Sequence, residues 1–336
     1  MGKVAINGLG RVGRLLLRHF LKHPDVQVTA VNDLADAATL AHLIRHDSIY
    51  GEPGFSVAVD GHQLILDGRC IQVFSESDPW QIPFGSLGTQ LVLECSGCFT
   101  PRHRAAAHLR GSVRQVLVSA LSEGADRTVV MGVNEGTLDP SRDKVISGAC
   151  ATSQCLAPIV KVLDEAFGLE FGFVTAVQSY TNEQRILDLP HGDLRLARAA
   201  TLSMIPTGTG AAKAVGLVLP HLEGRLDGLA VRVPTPTMSI LDLTAMLHGR
   251  ADLEAINGAF RQAAETGPLA PYLAVLEEEL VSADLVGRSA SALYDPFLTK
   301  VLGPSLVKVF AWYDQEFAYA ARLKDLSIHL LRGLGQ

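Results

Sequence analysis

The feature that most constrains this chain stands at its start. A short apolar run (KVAING, residues 3–8) passes directly into Gly8-x-Gly10-x-x-Gly13, and residues 10–23 then carry apolar side chains at helical spacing. A second apolar run, VQVTAVN at 26–32, comes next. Run, helix and run in that order predict a βαβ unit with parallel strands. At the first crossover one glycine permits a tight turn, the second lets a pyrophosphate approach the backbone, and the third lets helix and strand pack closely. Asp33, closing the second strand, is placed to accept hydrogen bonds from a ribose and to repel a 2′-phosphate. Together these features predict a dinucleotide site that prefers NAD to NADP. The bland alternative is a glycine turn in a sheet that binds no nucleotide.

The alternation continues through LVLECSG (91–97), a helical stretch at 101–110, QVLVSA (115–120) and TVVMGVN (128–134). That is the pattern of a parallel, doubly wound sheet, and it predicts a first domain over residues 1–149. From residue 150 the pattern changes to a helix at 155–167, strand-like FGFVTAVQSYT, a loop-rich stretch and GLAVRVPTPTMSILDLTAML. A second, α+β domain over 150–313 is expected, with a C-terminal helix, 314–336, docking back on the first. A chain of 336 residues is long enough for two cores. The fold class is α/β, a Rossmann domain followed by an α+β domain.

A formal net charge of −6, with no block of Lys or Arg, gives no electrostatic footprint for nucleic acid or an anionic membrane. Neither is expected as a partner. No apolar run approaches the roughly 18 residues of a membrane span, and the N-terminus reads as strand rather than signal peptide. A cytoplasmic location is the expectation. The five cysteines (Cys70, Cys95, Cys98, Cys150, Cys155) form an odd set and are read as thiols. Cys95-Ser-Gly-Cys98 lacks a second ligand pair for zinc, so no metal is expected.

Motifs along nearly the whole chain carry a resemblance: INGLGRVGR, VNDLADAATLAHLIRHDSIYG, VMGVN, CLAP at 155–158, SYTNEQRILDLPH, IPTGTGAAKAV, RVPTP and AWYDQEFAY. In this order they resemble the glyceraldehyde-3-phosphate dehydrogenases. The resemblance implies a Rossmann domain, a catalytic-type domain with a long S-shaped loop near 180–205, and a homotetramer, with mixing into tetramers of an active paralogue left open. It implies a cofactor set of Asn7, Gly8, Gly10, Arg11, Val12, Gly13, Asp33, Ser96 and Gln315, and Leu189-Pro190 resembles the NAD-selective form of the loop. For a small phosphorylated ligand it implies Thr181 and Arg232 at the substrate's own phosphate, and Thr152, Thr209 and Gly210 around an attacking inorganic phosphate. Thr209 and Gly210 also read simply as a helix cap.

Where the family carries its chemistry, this sequence departs from the pattern. The family's nucleophile segment S-N-A-S-C-T-T-N-C-L-A-P reads S-G-A-C-A-T-S-Q-C-L-A-P here, so Ala151 stands at the nucleophile position and Cys150 one place before it. The family's catalytic histidine is matched by Gln178, whose amide takes up no proton in the accessible pH range. The nicotinamide-orienting asparagine is matched by Gln315, and a phosphate-binding arginine by Leu196. Two readings follow. One is an NAD-binding relative without the family's phosphorylating aldehyde oxidation, serving as a regulator or sensor. The other is an active NAD-dependent oxidoreductase with altered chemistry on a phosphorylated aldehyde, in which Cys150 is a relocated thiol rather than an ordinary one.

Overall fold

The computed structural model describes residues 1–335. The chain forms two compact units: Met1–Val129 with Glu135–Cys150 and the segment from Tyr319 onward, and Val130–Asn134 with Ala151–Ala318.

The first unit is a nine-stranded sheet. Its strands are β1 (Gly2–Asn7), β2 (Val26–Asn32), β3 (Val57–Asp60), β4 (Gln63–Leu66), β5 (Arg69–Phe74), β6 (Leu91–Glu94), β7 (Gln115–Val118), β8 (Arg127–Thr128) and β9 (Val145–Ser147), in the spatial order β3-β4-β5-β2-β1-β6-β7-β9-β8. Strands β5, β2, β1, β6, β7, β9 and β8 run parallel, whereas β3-β4-β5 is an antiparallel meander on one edge. Helices α1 (Arg11–Leu21), α2 (Ala37–Arg45) and the short α3 (Arg102–Ala105) belong to this unit. Buried Ala5, Ala30, Phe84, Val92, Val116 and Val145 lie in one of its apolar clusters. The registers Asn7↔Asn32 and Asn7↔Glu94 set three polar side chains in one row across β2, β1 and β6.

The second unit is a seven-stranded mixed sheet. It comprises β10 (Leu169–Ser179), β11 (Ile205–Gly208), β12 (Leu226–Val233), β13 (Ser239–Leu247), β14 (Leu273–Val275), β15 (Ala292–Leu302) and β16 (Leu306–Tyr313), ordered β11-β12-β10-β13-β16-β15-β14. Helices α4 (Ala151–Phe167), α5 (Ala211–Val218) and α6 (Leu253–Glu265) pack against it. Along β10, Gly172, Val174 and Ala176 are buried, while Phe171 and Phe173 on the opposite face are 50% and 69% exposed. The last helix, α7 (Phe317–Leu334), returns to the first unit from Tyr319: Leu331 fills the space beside Gly2, and Leu323 the space beside Gly148.

Three expectations are corrected. TVVMGVN is not one strand, because β8 stops at Thr128. The Asn134 side chain accepts from Val130 N at 2.9 Å, Gly132 takes φ +81°, and the resulting turn packs near Pro268, Leu269 and Tyr272 of the second unit. The helix expected at 101–110 breaks into α3 and a single tight turn, Ala106–His108. Helix α4 begins at Ala151 rather than at 155 and contains Pro158.

Candidate functional site

In the first unit a cavity of about 310 Å³ opens above the glycine turn, lined among others by Asn7, Gly8, Gly10, Asn32, Asp33 and Ser96. Each glycine has a different physical reason. Gly8 has φ +93°, and a Cβ there would lie 2.6 Å from the Ser96 backbone. A Cβ on Gly13 would lie 2.0 Å from the Gly8 carbonyl oxygen. A Cβ on Gly10 would meet nothing within 4 Å. No protein atom therefore demands a glycine at position 10, and the open space fits a ligand's close approach instead. No side chain caps the amino end of α1, where Arg11, Val12 and Gly13 form the first turn, so its amides are suited to a diphosphate. Asp33 accepts from Leu9 N at 2.8 Å and from Ala35 N at 3.1 Å. Those bonds fix the carboxylate and leave each oxygen a further lone pair for ribose hydroxyls. The cavity thus fits a dinucleotide.

Gln315 belongs to the second unit, where its Oε1 accepts from Ser239 Oγ at 3.1 Å. That unit also holds every candidate phosphate ligand and the position matched to the family's base. Ala151 is the first residue of α4 and is half-buried; Cys150, also half-buried, precedes the helix. The turn before it is tight, because Ala149 takes φ +56°, a left-handed conformation costly for a side-chain-bearing residue. Gln178, in β10, is buried, and its Nε2 donates to Thr152 Oγ1 at 2.6 Å and to the Tyr313 hydroxyl at 3.3 Å. Thr152 Oγ1 and the Tyr313 hydroxyl are in turn 2.9 Å apart. Burial holds the Tyr313 hydroxyl well above its usual range, despite bonds from Thr152 and Gln178. The three side chains form a closed cluster of neutral groups, with nothing in it to take up a proton near neutral pH.

The other phosphate candidates are partly engaged. Arg232 donates from Nη1 to Ser179 O at 3.0 Å, and its Nη2 lies 3.8 Å from Glu183. Thr181 donates from both N and Oγ1 to Gln184 Oε1, at 2.7 and 3.2 Å. Thr209 Oγ1 accepts from Ala211 N at 3.2 Å at the start of α5, where Gly210 is the capping residue. Leu196 is buried within the loop following β10 and offers an anion nothing.

Among the thiols, burial pushes Cys155 far above the ordinary thiol range and, with the neighbouring Glu94 carboxylate, pushes Cys95 up to about 12. Cys70 and Cys98 are exposed. No group of three or more metal-ligating side chains occurs among the described residues, and no helix among them is long and apolar enough to cross a membrane. Sequence reasoning missed Glu94 and His108, whose buried side chains meet at 2.9 Å behind the cavity. Only the alignment of β6 beside β1 reveals why they matter.

Comparison with known proteins matches both units. Residues 2–102 match the family described as "Glyceraldehyde 3-phosphate dehydrogenase, NAD binding domain", and residues 149–315 match "Glyceraldehyde 3-phosphate dehydrogenase, C-terminal domain". The chain is 50% identical over 328 residues to glyceraldehyde-3-phosphate dehydrogenase of Geobacillus stearothermophilus, covering 98% of each chain. It is 48% identical over 330 residues to glyceraldehyde-3-phosphate dehydrogenase 1 of Bacillus subtilis, again covering 98% of each. With the Streptomyces coelicolor enzyme of the same name it shares 46% over 327 residues, 97% of each chain. An α/β fold with an open, glycine-floored dinucleotide cavity and whole-length similarity of this order has one meaning: the chain belongs to the glyceraldehyde-3-phosphate dehydrogenase family, and its cofactor is NAD.

Proposed function

We propose that this chain binds NAD without performing the phosphorylating aldehyde oxidation for which its relatives are named, and that it acts as a regulatory subunit or as a sensor of NAD and sugar phosphates. The observation that carries this reading is the start of α4. Ala151 presents a methyl group, and Gln178 is spent on Thr152 and Tyr313. Covalent aldehyde oxidation needs a thiolate and a group that draws its proton. Loss of a nucleophile typically costs about 10⁴ to 10⁶ in rate. A phosphorylated ligand remains compatible with Thr181 and Arg232, and thermal protection by glyceraldehyde 3-phosphate tests that part.

The assembly we propose is a homotetramer. Its support is the exposed apolar surface of the second unit: Phe171 and Phe173 on the sheet, and Ile186, Leu187, Leu194 and Leu202 on the long loop, the last four 72–83% exposed. Isolated exposed apolar residues are ordinary, but those that fall together, as Phe171 with Phe173 on one face of β10 and Ile186 with Leu187 on the loop, mark association surfaces. Light scattering at micromolar concentration reads the mass; a monomer defeats this part.

The deciding experiment follows NADH absorbance with NAD, phosphate and glyceraldehyde 3-phosphate. The parent is expected to be silent, and Ala151→Cys with Gln178→His to recover activity. The second reading, an enzyme of altered chemistry, draws on Cys150, a half-buried thiol standing immediately before the 17-residue helix that begins at the nucleophile position. Turnover by the parent that Cys150→Ser abolishes would replace the first reading with the second.

A further inference from the structure

The floor of the NAD cavity is a directed hydrogen-bond chain. Asn32 Oδ1 accepts from Glu76 N at 2.9 Å, and Asn32 Nδ2 donates to Asn7 Oδ1 at 2.8 Å and to Glu76 O at 3.0 Å. Asn7 Nδ2 donates to Glu94 Oε2 at 2.6 Å. The same oxygen receives His108 Nε2 at 2.9 Å, while Oε1 receives Ser96 N at 2.9 Å and the Ser96 hydroxyl. Asn7, Asn32, Glu76 and Ser96 line the cavity; Glu94 and His108 stand behind it, 1% and 2% exposed.

Two properties of this chain of bonds point beyond packing. First, each Glu94 oxygen already accepts two bonds, which leaves the carboxylate no capacity for a ligand. A buried negative charge near a site for a diphosphate opposes binding, so the carboxylate does not serve to attract the ligand. Second, an asparagine amide has two distinguishable ends, and only an acceptor at position 94 fixes which end of Asn7, and then of Asn32, faces which neighbour. Burial opposes the charge on Glu94, but bonds from His108, Ser96 and Asn7 outweigh it and keep the carboxyl below its ordinary range. His108 Nδ1 is buried without a partner, so the imidazole's single bond is the one that steadies Glu94.

We infer that Glu94, steadied by His108, is a positioning residue of the NAD site that sets the orientation of the Asn7 and Asn32 amides and of Ser96. The inference rests on NAD binding alone and goes beyond the question of catalysis. A glutamine at 94 has one acceptor oxygen where the carboxylate has two, so its N–H₂ faces a donor in either orientation: Ser96 N, or the Asn7 N–H₂. Asn7 relieves the second clash only by turning over, which obliges Asn32 to turn and brings its N–H₂ against Glu76 N. The disturbance therefore ends in the loop that lines the cavity.

The test measures NAD affinity of the full chain by calorimetry and its melting temperature, for the parent, Glu94→Gln, His108→Leu and His108→Gln. A hydrogen bond to a charged group is worth enough that Glu94→Gln is expected to weaken NAD by about tenfold or more, and His108→Leu by about fivefold. His108→Gln keeps a donor for Glu94 and is expected to stay within about twofold of the parent. Leucine and glutamine variants of equal melting temperature but unequal affinity separate positioning from bulk stability. The inference is overturned by folded His108→Leu or Glu94→Gln protein that binds NAD like the parent, or by His108→Gln protein no better than His108→Leu. Should Glu94→Gln fail to fold, the two His108 variants decide. A parent that binds no NAD overturns the inference together with the cofactor assignment.

Discussion

Buried polar side chains build two places in this molecule, and they have been put to opposite uses. At the dinucleotide cavity, Asn7 bonds both Glu94 behind it and Asn32 beside it, and the space over Gly10 is open. At the start of α4, Thr152, Gln178 and Tyr313 bond one another. Both arrangements avoid the penalty of an unpaired buried group. The difference lies in what stands beside them: Asn7 and Asn32 line an open cavity, whereas the bonds of the second set run among its own members. Satisfied hydrogen bonds thus say little about function until the free space beside them is known.

Four substitutions or measurements break or sharpen that comparison. The largest effect is expected from Gly13→Ala, whose Cβ would lie 2.0 Å from the Gly8 carbonyl oxygen, a backbone atom that cannot swing aside. Destabilisation of about 3 kcal/mol or more, seen in urea unfolding, is expected from such overpacking. Next comes the contrast between two cysteines of the same cavity wall. With Cys95 pushed up to about 12 from an ordinary 9.0 and Cys98 exposed, its thiolate fraction at pH 8 falls on the order of a thousandfold, and mass spectrometry of alkylated protein should show Cys98 modified far ahead. Raising the pH towards 12 should narrow the gap, because a raised thiol pKa is overcome from the alkaline side.

Gly10→Ala should leave the melting temperature nearly unchanged, since the new methyl meets no protein atom, yet weaken NAD by roughly thirtyfold, because the methyl intrudes on the open cavity above the glycine turn. Equal losses in stability and affinity would show that Gly10 is structural after all. Smallest, Gln178→Leu should cost about 1–2 kcal/mol of stability by taking one bond each from Thr152 and Tyr313, which keep the bond between them, with NAD affinity untouched. A changed NAD affinity there would mean that the closed cluster reaches the cofactor.

The first βαβ unit was legible because three signals agree: apolar runs of strand length, helical spacing between them, and glycines at the crossover. The meander at 57–74 was not, since two of its strands have only four residues and its apolar alternation is too short to stand out. TVVMGVN misled because an apolar run reads as strand unless turn chemistry is noticed, and here Gly132 and Asn134 supply it. Helix α4 was placed late because residues 151–154 give little helix signal on their own; the buried face Thr152–Leu163 shows that packing decides. At the cofactor site, Gly8, Gly10, Gly13 and Asp33 announce themselves by spacing. Glu94 and His108 do not, because their role depends on β6 lying beside β1, a pairing 87 residues apart in the chain. Gln178 was legible as a departure from a family pattern, but its partners Thr152 and Tyr313 were not legible as partners.

The closed cluster at the start of α4 also bears on how such a chain can change over generations. Replacing Thr152, Gln178 or Tyr313 singly by an apolar residue removes two of the cluster's three hydrogen bonds, at a cost of about 1–3 kcal/mol, a large share of an ordinary protein's margin. The three positions are therefore inherited as a block: a lineage that has reached this arrangement leaves it only by coordinated substitutions, and the barrier it meets is one of folding, whatever activity lies on the other side.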